Sequence, residues 1–255
     1  MPKPITATII TLNEEANIEG VIASAARLCD EVIVVDSAST DRTVELAEAA
    51  GARVFVQPYL GDGPQKNYGV KFAKNDWIFS IDADERFEDD AVEALLALDL
   101  ERAEADAYAV RRKTFIGDRW IKLWYPDWVT RLYDRRVCAY EDSIGHASVK
   151  GGRVKKVPCD LLHYSYRDYS DIVKRVDKFA ARGAKQVLAR GGMITPAAPL
   201  LHGISRFLKQ YLIRGGVLQG VDGLNVSVIS AFGAYMKYAM ALEARRSGAA
   251  TERKP

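Results

Sequence analysis

Two carboxylates one residue apart, Asp82 and Asp84, frame Ala83 directly after the apolar run Trp77-Ile78-Phe79-Ser80-Ile81. Acids placed where a buried strand opens outward suit a hard divalent cation, Mg²⁺ or Mn²⁺. Such a cation takes carboxylate oxygens together with substrate phosphate oxygens, and it would neutralise charge building on a diphosphate leaving group. The plain alternative is an acidic helix-capping cluster. Three further polar groups have a similar placement. Thr11-Leu12-Asn13-Glu14-Glu15 closes the run Ile5-Thr6-Ala7-Thr8-Ile9-Ile10, where a base or ribose could reach it. Asp36 closes Glu31-Val32-Ile33-Val34-Val35, where an acid can accept from a base N–H or a ribose hydroxyl. Lys66-Asn67 follow the loop Gly61-Asp62-Gly63-Pro64 and offer a cation near phosphates and an amide near a ribose. Ser39 and Asp41 read as turn and cap chemistry instead.

The elements that would position these groups alternate regularly. Strands are expected at Ile5–Ile10, Glu31–Val35, Arg53–Val56 and Trp77–Ile81. Helices are expected at about Asn17–Leu28, Thr43–Gly51 and Gln65–Lys74, the first with Ile18, Val21, Ile22 and Ala25 on its apolar face. This rhythm predicts an α/β fold with a mostly parallel sheet and helices on both faces. Ligands in such sheets bind beyond the carboxyl ends of the strands. The polar groups after the first, second and fourth strands should therefore meet in one crevice.

Further on, a helix at Ala91–Leu98 and a strand at Ala107–Arg112 precede an aromatic concentration: Phe115, Trp120, Trp124, Tyr125, Trp128 and Tyr133. About half of the rings from Trp120 to Trp128 are expected to pack inward, and Trp124 is placed to stack on a sugar. A basic amphipathic helix is expected at Asp168–Leu188, with Ile172, Val176, Phe179, Ala180 and Val187 inward. The organisation expected is a catalytic domain at 1–165, its nucleotide half at 1–90 and its acceptor half at 91–165, then a helical basic extension at 166–255.

Charge divides in the same way. Residues 1–150 carry 18 Lys and Arg against 27 Asp and Glu, whereas 151–255 carry 18 against 7, although the net charge is only +2. A basic rear half implies an anionic neighbour. Amphipathic helices rather than a nucleic-acid motif carry these charges, so an anionic membrane surface is expected and nucleic acid is not. The three cysteines, Cys29, Cys138 and Cys159, have no metal-ligand spacing and suggest no disulfide framework. No signal-peptide pattern opens the chain, and the longest weakly polar run, Val226–Met236, is shorter than a spanning helix needs. The expected location is cytoplasmic, peripheral on the inner face of the membrane; oligomeric state, including a homo-oligomer, is left open.

Together, Thr11-Leu12-Asn13-Glu14-Glu15, Val34 to Asp41, Lys66-Asn67 and Asp82-Ala83-Asp84-Glu85 resemble the donor-binding half of inverting family 2 glycosyltransferases. The resemblance implies a Rossmann-like GT-A fold and a nucleotide-sugar donor. A closer resemblance, to the branch that extends lipopolysaccharide cores, rests on Trp124-Tyr125-Pro126-Asp127, Arg131-Leu132-Tyr133, Leu162 to Tyr166, and the tail from Arg206 to Tyr238. It implies that Asn13 and Glu14 flank the nucleoside and that Asp36 contacts base or ribose. Lys66 stands where many relatives have arginine. Asp82 would contact ribose or diphosphate, and Asp84 the metal. The chain departs from that branch at His146-Ala147, where an acid is expected after the histidine.

Inverting transfer needs a base for the acceptor hydroxyl. Asp142, with Glu141 beside it, is the expected base. His146 and His163 are the other titratable candidates, either to orient the phosphates or to join the metal shell. The expected reaction moves a sugar, UDP-linked by expectation, onto a saccharide or a lipid-linked glycan. The rivals are a catalytically silent glycan-binding relative and a sugar-1-phosphate nucleotidyltransferase. The latter needs a Gly- and Arg-rich loop after the first strand, which Thr11–Glu15 does not supply.

Overall fold

The computed structural model describes residues 3–143, 147–191 and 193–251, so the expectation for His146 lies outside the described residues. The chain forms two compact units: Met1–Thr114 with Tyr125–Ser165, and Phe115–Trp124 with Tyr166–Pro255. Residues 115–124 thus group with the helical rear unit, although they include the end of the strand Ala107–Ile116 and the whole of the strand Arg119–Trp120.

In the first unit, β1 (Lys3–Thr11), β2 (Cys29–Asp36), β3 (Arg53–Val56) and β4 (Trp77–Asp82) alternate with α1 (Ile18–Ala26), α2 (Thr43–Ala49) and α3 (Asp62–Val70). Then come β5 (Glu85–Phe87), α4 (Asp89–Leu96), β6 (Ala107–Ile116), β7 (Arg119–Trp120) and β8 (Asp127–Asp134). The short strands β9 (Ala139–Tyr140) and β10 (Val149–Lys150) form a separate pair, and β11 (Val154–Tyr166) completes the set. The main sheet runs β3-β2-β1-β4-β8-β6-β11-β5, with β7 paired to β6. Its first four strands are parallel, and β8 enters antiparallel to β4.

These strands form because their side chains are apolar on both faces. Along β2 the alternation places Val34 in one core, with α1 and α4, and Ile33 and Val35 in the core on the opposite face, with Ile78 and Tyr133. Helix α1 buries Ile18, Val21, Ile22 and Ala25 as its spacing predicts. Helix α3 starts three residues before the expected Gln65 and ends at Val70: Gly61 turns the chain at φ 114°, and Pro64 is tolerated in the first turn. In the run Trp120 to Trp128, where about half the rings are expected inward, Trp120, Trp124, Tyr125 and Trp128 are all half-buried; beyond it Tyr133 is fully buried.

The second unit contains α5 (Tyr169–Ala189), α6 (Ala198–Leu208) and α7 (Gly220–Thr251). Asp168 caps α5 by accepting from the Asp171 amide. Helix α5 buries Ile172, Val176, Ala180 and Ala184, but Phe179 is exposed instead of inward. Helix α6 runs into a π-helical turn at Lys209–Ile213, and Gly215, at φ 76°, ends it as the Gly215-Gly216 pair suggests. The run Val226–Met236 is not an isolated short segment, which corrects its reading from sequence. It lies within the helical stretch Gly216–Ser247, long and apolar enough by length and composition to cross a membrane, and only 17% of its most apolar window is buried. In this unit α7 packs on α5 and α6.

Candidate active site

Parallel register brings the predicted strand ends together. Thr11 pairs with Asp36, and Ile10 pairs with both Val35 and Asp82. The loops beyond β1 and β2 are stitched by side chains. Asn13 adopts φ 55° and accepts from the Thr40 amide at 2.8 Å, while its own amide donates to Ser39 Oγ at 2.8 Å. Asparagine tolerates this left-handed geometry; Ala38, at φ 65°, is strained by it. The Glu14 amide donates to Thr43 Oγ1, and the Glu14 carboxylate accepts from Asn17. Leu12 is exposed beside them and Thr11 is buried.

Asp36 is fully buried, and its carboxylate accepts from Thr11 Oγ1 (3.2 Å), the Ser39 amide (2.7 Å) and Ser39 Oγ (2.5 Å). The residue therefore ties the turn after β2 to the end of β1, the kind of turn chemistry the sequence assigned to Ser39 and Asp41. Asp41 also caps, accepting from the Thr43 amide and hydroxyl. Asn67 holds the Tyr140 backbone from both sides, donating to its carbonyl (2.9 Å) and accepting from its amide (3.1 Å). Its amide fixes a neighbouring strand rather than standing open for a ribose.

Asp82 lies between two buried cations. Lys66 Nζ is 2.8 Å from one carboxylate oxygen and an Arg131 nitrogen is 2.6 Å from the other. Burial alone would raise the Asp82 carboxyl, but Arg131 and Lys66 outweigh it and hold it well below the usual carboxylate range. Burial likewise opposes charge on Lys66, yet Asp82 raises its ammonium above the ordinary lysine value. The ammonium also stands 5.0 Å from the Tyr140 ring centroid. Arg131 reaches past Asp82 to Glu85, which is wholly buried, and Glu85 accepts from the Asp82 amide. Arg112 flanks Glu85 at 3.6 Å and pairs with Asp127 at 2.6 Å.

The turn at Ala83-Asp84 separates the two acids of the motif. Beyond it, β5 pairs with β11, and His163 is in register with Glu85. Consequently Asp84 faces His163, whose Nε2 is 3.3 Å from Asp84 Oδ2 and whose Nδ1 is 3.3 Å from Thr114 Oγ1. Asp82 is thus bound up with cations, while Asp84 shares a histidine.

Glu85, Arg112, Arg131 and His163 carry much of this arrangement. The sequence offers His163 as a candidate for the phosphates or the metal shell, and Glu85 only as the end of the Asp82-Ala83-Asp84-Glu85 motif. No spacing marks Arg112 or Arg131, which come from strands far from β4 in the chain. The signal available was the Arg131-Leu132-Tyr133 and Leu162-His163-Tyr164 segments of the resemblance.

The segment carrying Glu141 and Asp142 packs on the start of α3. The Gly63 amide donates to the Ser143 carbonyl (3.0 Å), and the Ala147 amide to Asp62 (2.7 Å). A side chain at Gly63 would collide with the Glu141 carbonyl, so glycine is required there. Glu141 accepts from the Ser148 amide at 2.9 Å and has Lys150 at 3.8 Å, whereas Asp142 is exposed. Trp124 belongs to the second unit, where it stands 6.1 Å from the Tyr166 ring. Glu88, Asp90 and Asp160 also cluster, but Lys113 lies 2.7 Å from Glu88 and 3.0 Å from Asp160, with Arg111 2.7 Å from Asp160. That cluster is an ion-pair network.

The strand ends of the α/β sheet thus bring acids and buried cations together, on the side of such a sheet where ligands generally bind. The glycosyl transferase family 2 profile matches residues 6–157, and the chain belongs to that family. Its mixed α/β sheet with flanking helices agrees with the Rossmann-like GT-A fold. An uncharacterized glycosyltransferase of Rickettsia bellii is 32% identical over 253 residues, covering 94% of this chain and 86% of that one. The lipopolysaccharide core biosynthesis glycosyltransferase LpsC of Rhizobium meliloti is 37% identical over 122 residues, 46% of this chain and 45% of its own. Glucosyl-3-phosphoglycerate synthase from Mycobacterium tuberculosis, solved with Mn²⁺, UDP and glucosyl-3-phosphoglycerate, is 31% identical with a TM-score of 0.35, covering 44% of each chain.

Proposed function

We propose that this glycosyltransferase moves a sugar from a UDP-linked donor to a saccharide or lipid-linked glycan, such as a lipopolysaccharide core, with inversion. The observation that carries the reading is the placement of the Asp84–His163 pair and the Lys66–Asp82–Arg131 network around one end of β4. A carboxylate beside an imidazole whose other nitrogen meets a hydroxyl is a donor set that fits a divalent ion. Asp84 and His163 would hold Mg²⁺ or Mn²⁺, which would supply positive charge to the leaving diphosphate.

The chain's own residues do the rest. Lys66 and Arg131, held in place by Asp82 and Glu85, are preorganised donors that phosphate oxygens would meet at the strand end. Asn13 and Glu14 border the nucleoside, with the Asp36 network beneath them. The acceptor hydroxyl forms a bond to the anomeric carbon as the carbon–diphosphate oxygen bond breaks, and the electron pair leaves on the diphosphate. Asp142 takes the hydroxyl proton. Its exposure favours it over Glu141, whose carboxylate is engaged by Ser148.

The second unit would seat the enzyme on the inner face of an anionic membrane. The turn joining α6 to α7 exposes Leu212, Ile213, Val217, Leu218 and Val221, with Arg214 among them. Apolar tips flanked by basic side chains suit a headgroup region.

A thermal-shift panel of nucleotide sugars, with and without Mn²⁺, tests the donor reading. A UDP-sugar should raise the melting temperature selectively and more strongly with the metal, and release of UDP on addition of acceptor should follow. Donor binding with no turnover on any saccharide or glycolipid acceptor would favour a catalytically silent relative. No binding of any nucleotide sugar would overturn the reading.

A further inference from the structure

An open cavity of about 540 Å³ lies wholly within the second unit, lined mainly by α5, α6 and α7. Its size is that of a small-molecule site. The lining has two chemically distinct parts. Ile172, Val176 and Ala180 of α5 and Val226 of α7 are buried and give an apolar interior. Arg206, Lys209 and Lys237 give a cationic part, and among the described residues no carboxylate lines the cavity. Arg190 lines an adjoining cavity of about 400 Å³, also without a carboxylate, which shares the stacked His202–Tyr238 pair with the first.

The cations are crowded at a cost. Burial lowers the Lys237 ammonium below its ordinary value, and Arg206 and Arg190 lower it further. The Lys237 stem crosses α5 at Gly183, where a side chain would meet it at 2.6 Å. A second, independent feature lies on α6's π-helical turn. Gln210 is 5% exposed and donates to Ser230 Oγ at 3.4 Å, yet its amide oxygen has no hydrogen-bond partner. A buried acceptor left without a donor is costly, and both Gln210 and Ser230 line the cavity.

We infer that this cavity is a binding site for a phosphate-headed amphiphile: the phosphate meets Arg206, Lys209 and Lys237, and the apolar chain lies among the α5 and α7 side chains. A donor hydroxyl near the headgroup would satisfy Gln210. Arginine and lysine together suit a phosphate, and an anion relieves the repulsion among them. The inference stands apart from the sugar-transfer reading and uses none of its residues.

Isothermal titration of the full chain with octyl phosphate, inorganic phosphate and octanol tests it. Octyl phosphate should bind saturably at one site per chain, at least tenfold more tightly than either other probe. Lys237→Gln and Arg206→Gln should each weaken it at least tenfold. Lys237→Gln removes repulsion rather than packing, so the variant should fold, with a melting temperature no lower than the parent's. Gly233→Leu should block the cavity and abolish binding. Competition by phosphatidic acid vesicles would make a bilayer lipid the source, and lack of competition a soluble amphiphile; both support the site. Octanol binding as tightly as octyl phosphate, affinity unchanged in Lys237→Gln, or no saturable binding would each overturn it.

Discussion

The two units handle charge and apolar surface in opposite ways. Around β4 in the first unit, buried charges are matched: Asp82 lies between Lys66 and Arg131, and Glu85 between Arg131 and Arg112. In the second unit, Arg206, Lys209 and Lys237 line a cavity with no acid among the described residues, while Leu212, Ile213 and Leu218 stand exposed. The first arrangement is preorganised, because its field is fixed before any ligand arrives. The second is complete only when an anion and an apolar surface are added.

The sharpest way to break this comparison is at Arg131. Arg131→Met leaves Glu85 buried with its principal partner gone, and should cost about 3–5 kcal/mol in denaturant unfolding. A loss under about 1 kcal/mol would show that the network is not held as a unit. Acid unfolding sharpens the same point. The Asp82 carboxyl is held below its unfolded value of about 3.9, so its stabilisation is fully present above that pH. It disappears as pH falls through the depressed folded value. Asp82→Asn should therefore flatten the low-pH limb of the stability curve and leave its neutral slope unchanged.

Next in size is the metal pair. Asp84→Asn should lower turnover by about 10²–10³-fold, the scale of removing one electrostatic contact to a transition state, with the melting temperature nearly unchanged. Chelator should mimic the loss, and added Mn²⁺ should reverse it; full activity in chelator breaks the metal assignment. Asp142→Asn should cost at least ~10²-fold in turnover with donor affinity retained. If Glu141→Gln has that effect instead, the base is the wrong neighbour.

The smallest effect belongs to the exposed tip of the second unit. Replacing Ile213 and Leu218 by Ser should reduce co-sedimentation with anionic vesicles roughly tenfold, about 1.4 kcal/mol for the pair. Shallow insertion realises only a fraction of the roughly 1.5–3 kcal/mol that full burial of each side chain would give. Sugar transfer to a soluble acceptor should be unaffected. Equal sedimentation with neutral and anionic vesicles would leave the tip as a packing surface.

Much of the sheet was legible because its determinants are local. The strands through Asp82 are β-branched runs bounded by polar residues, and α1 buries the four residues its period selects. Parallel order then follows from alternation with helices, and it aligns Thr11, Asp36 and Asp82. What each acid does was less legible. Asp36 offers the same carboxylate in the sequence whatever it meets, and the fold shows that it accepts from Thr11 and Ser39. Helix α7 was misread for a related reason: Asp222, Lys237 and Glu243 interrupt its apolar run, yet nothing breaks the backbone, so the helix continues for 32 residues.

The sequence by itself determined an α/β sheet with its polar groups at the strand ends, and a basic helical rear. These depend on periodicity and composition, which act over a few residues. Tertiary structure alone decided that Asp82 and Asp84 have different partners. The turn between β4 and β5 sends Asp82 toward Lys66 and Arg131, and Asp84 toward His163 on β11. A partner 79 positions away in the chain is chosen by strand register, and register is settled only when the whole sheet closes.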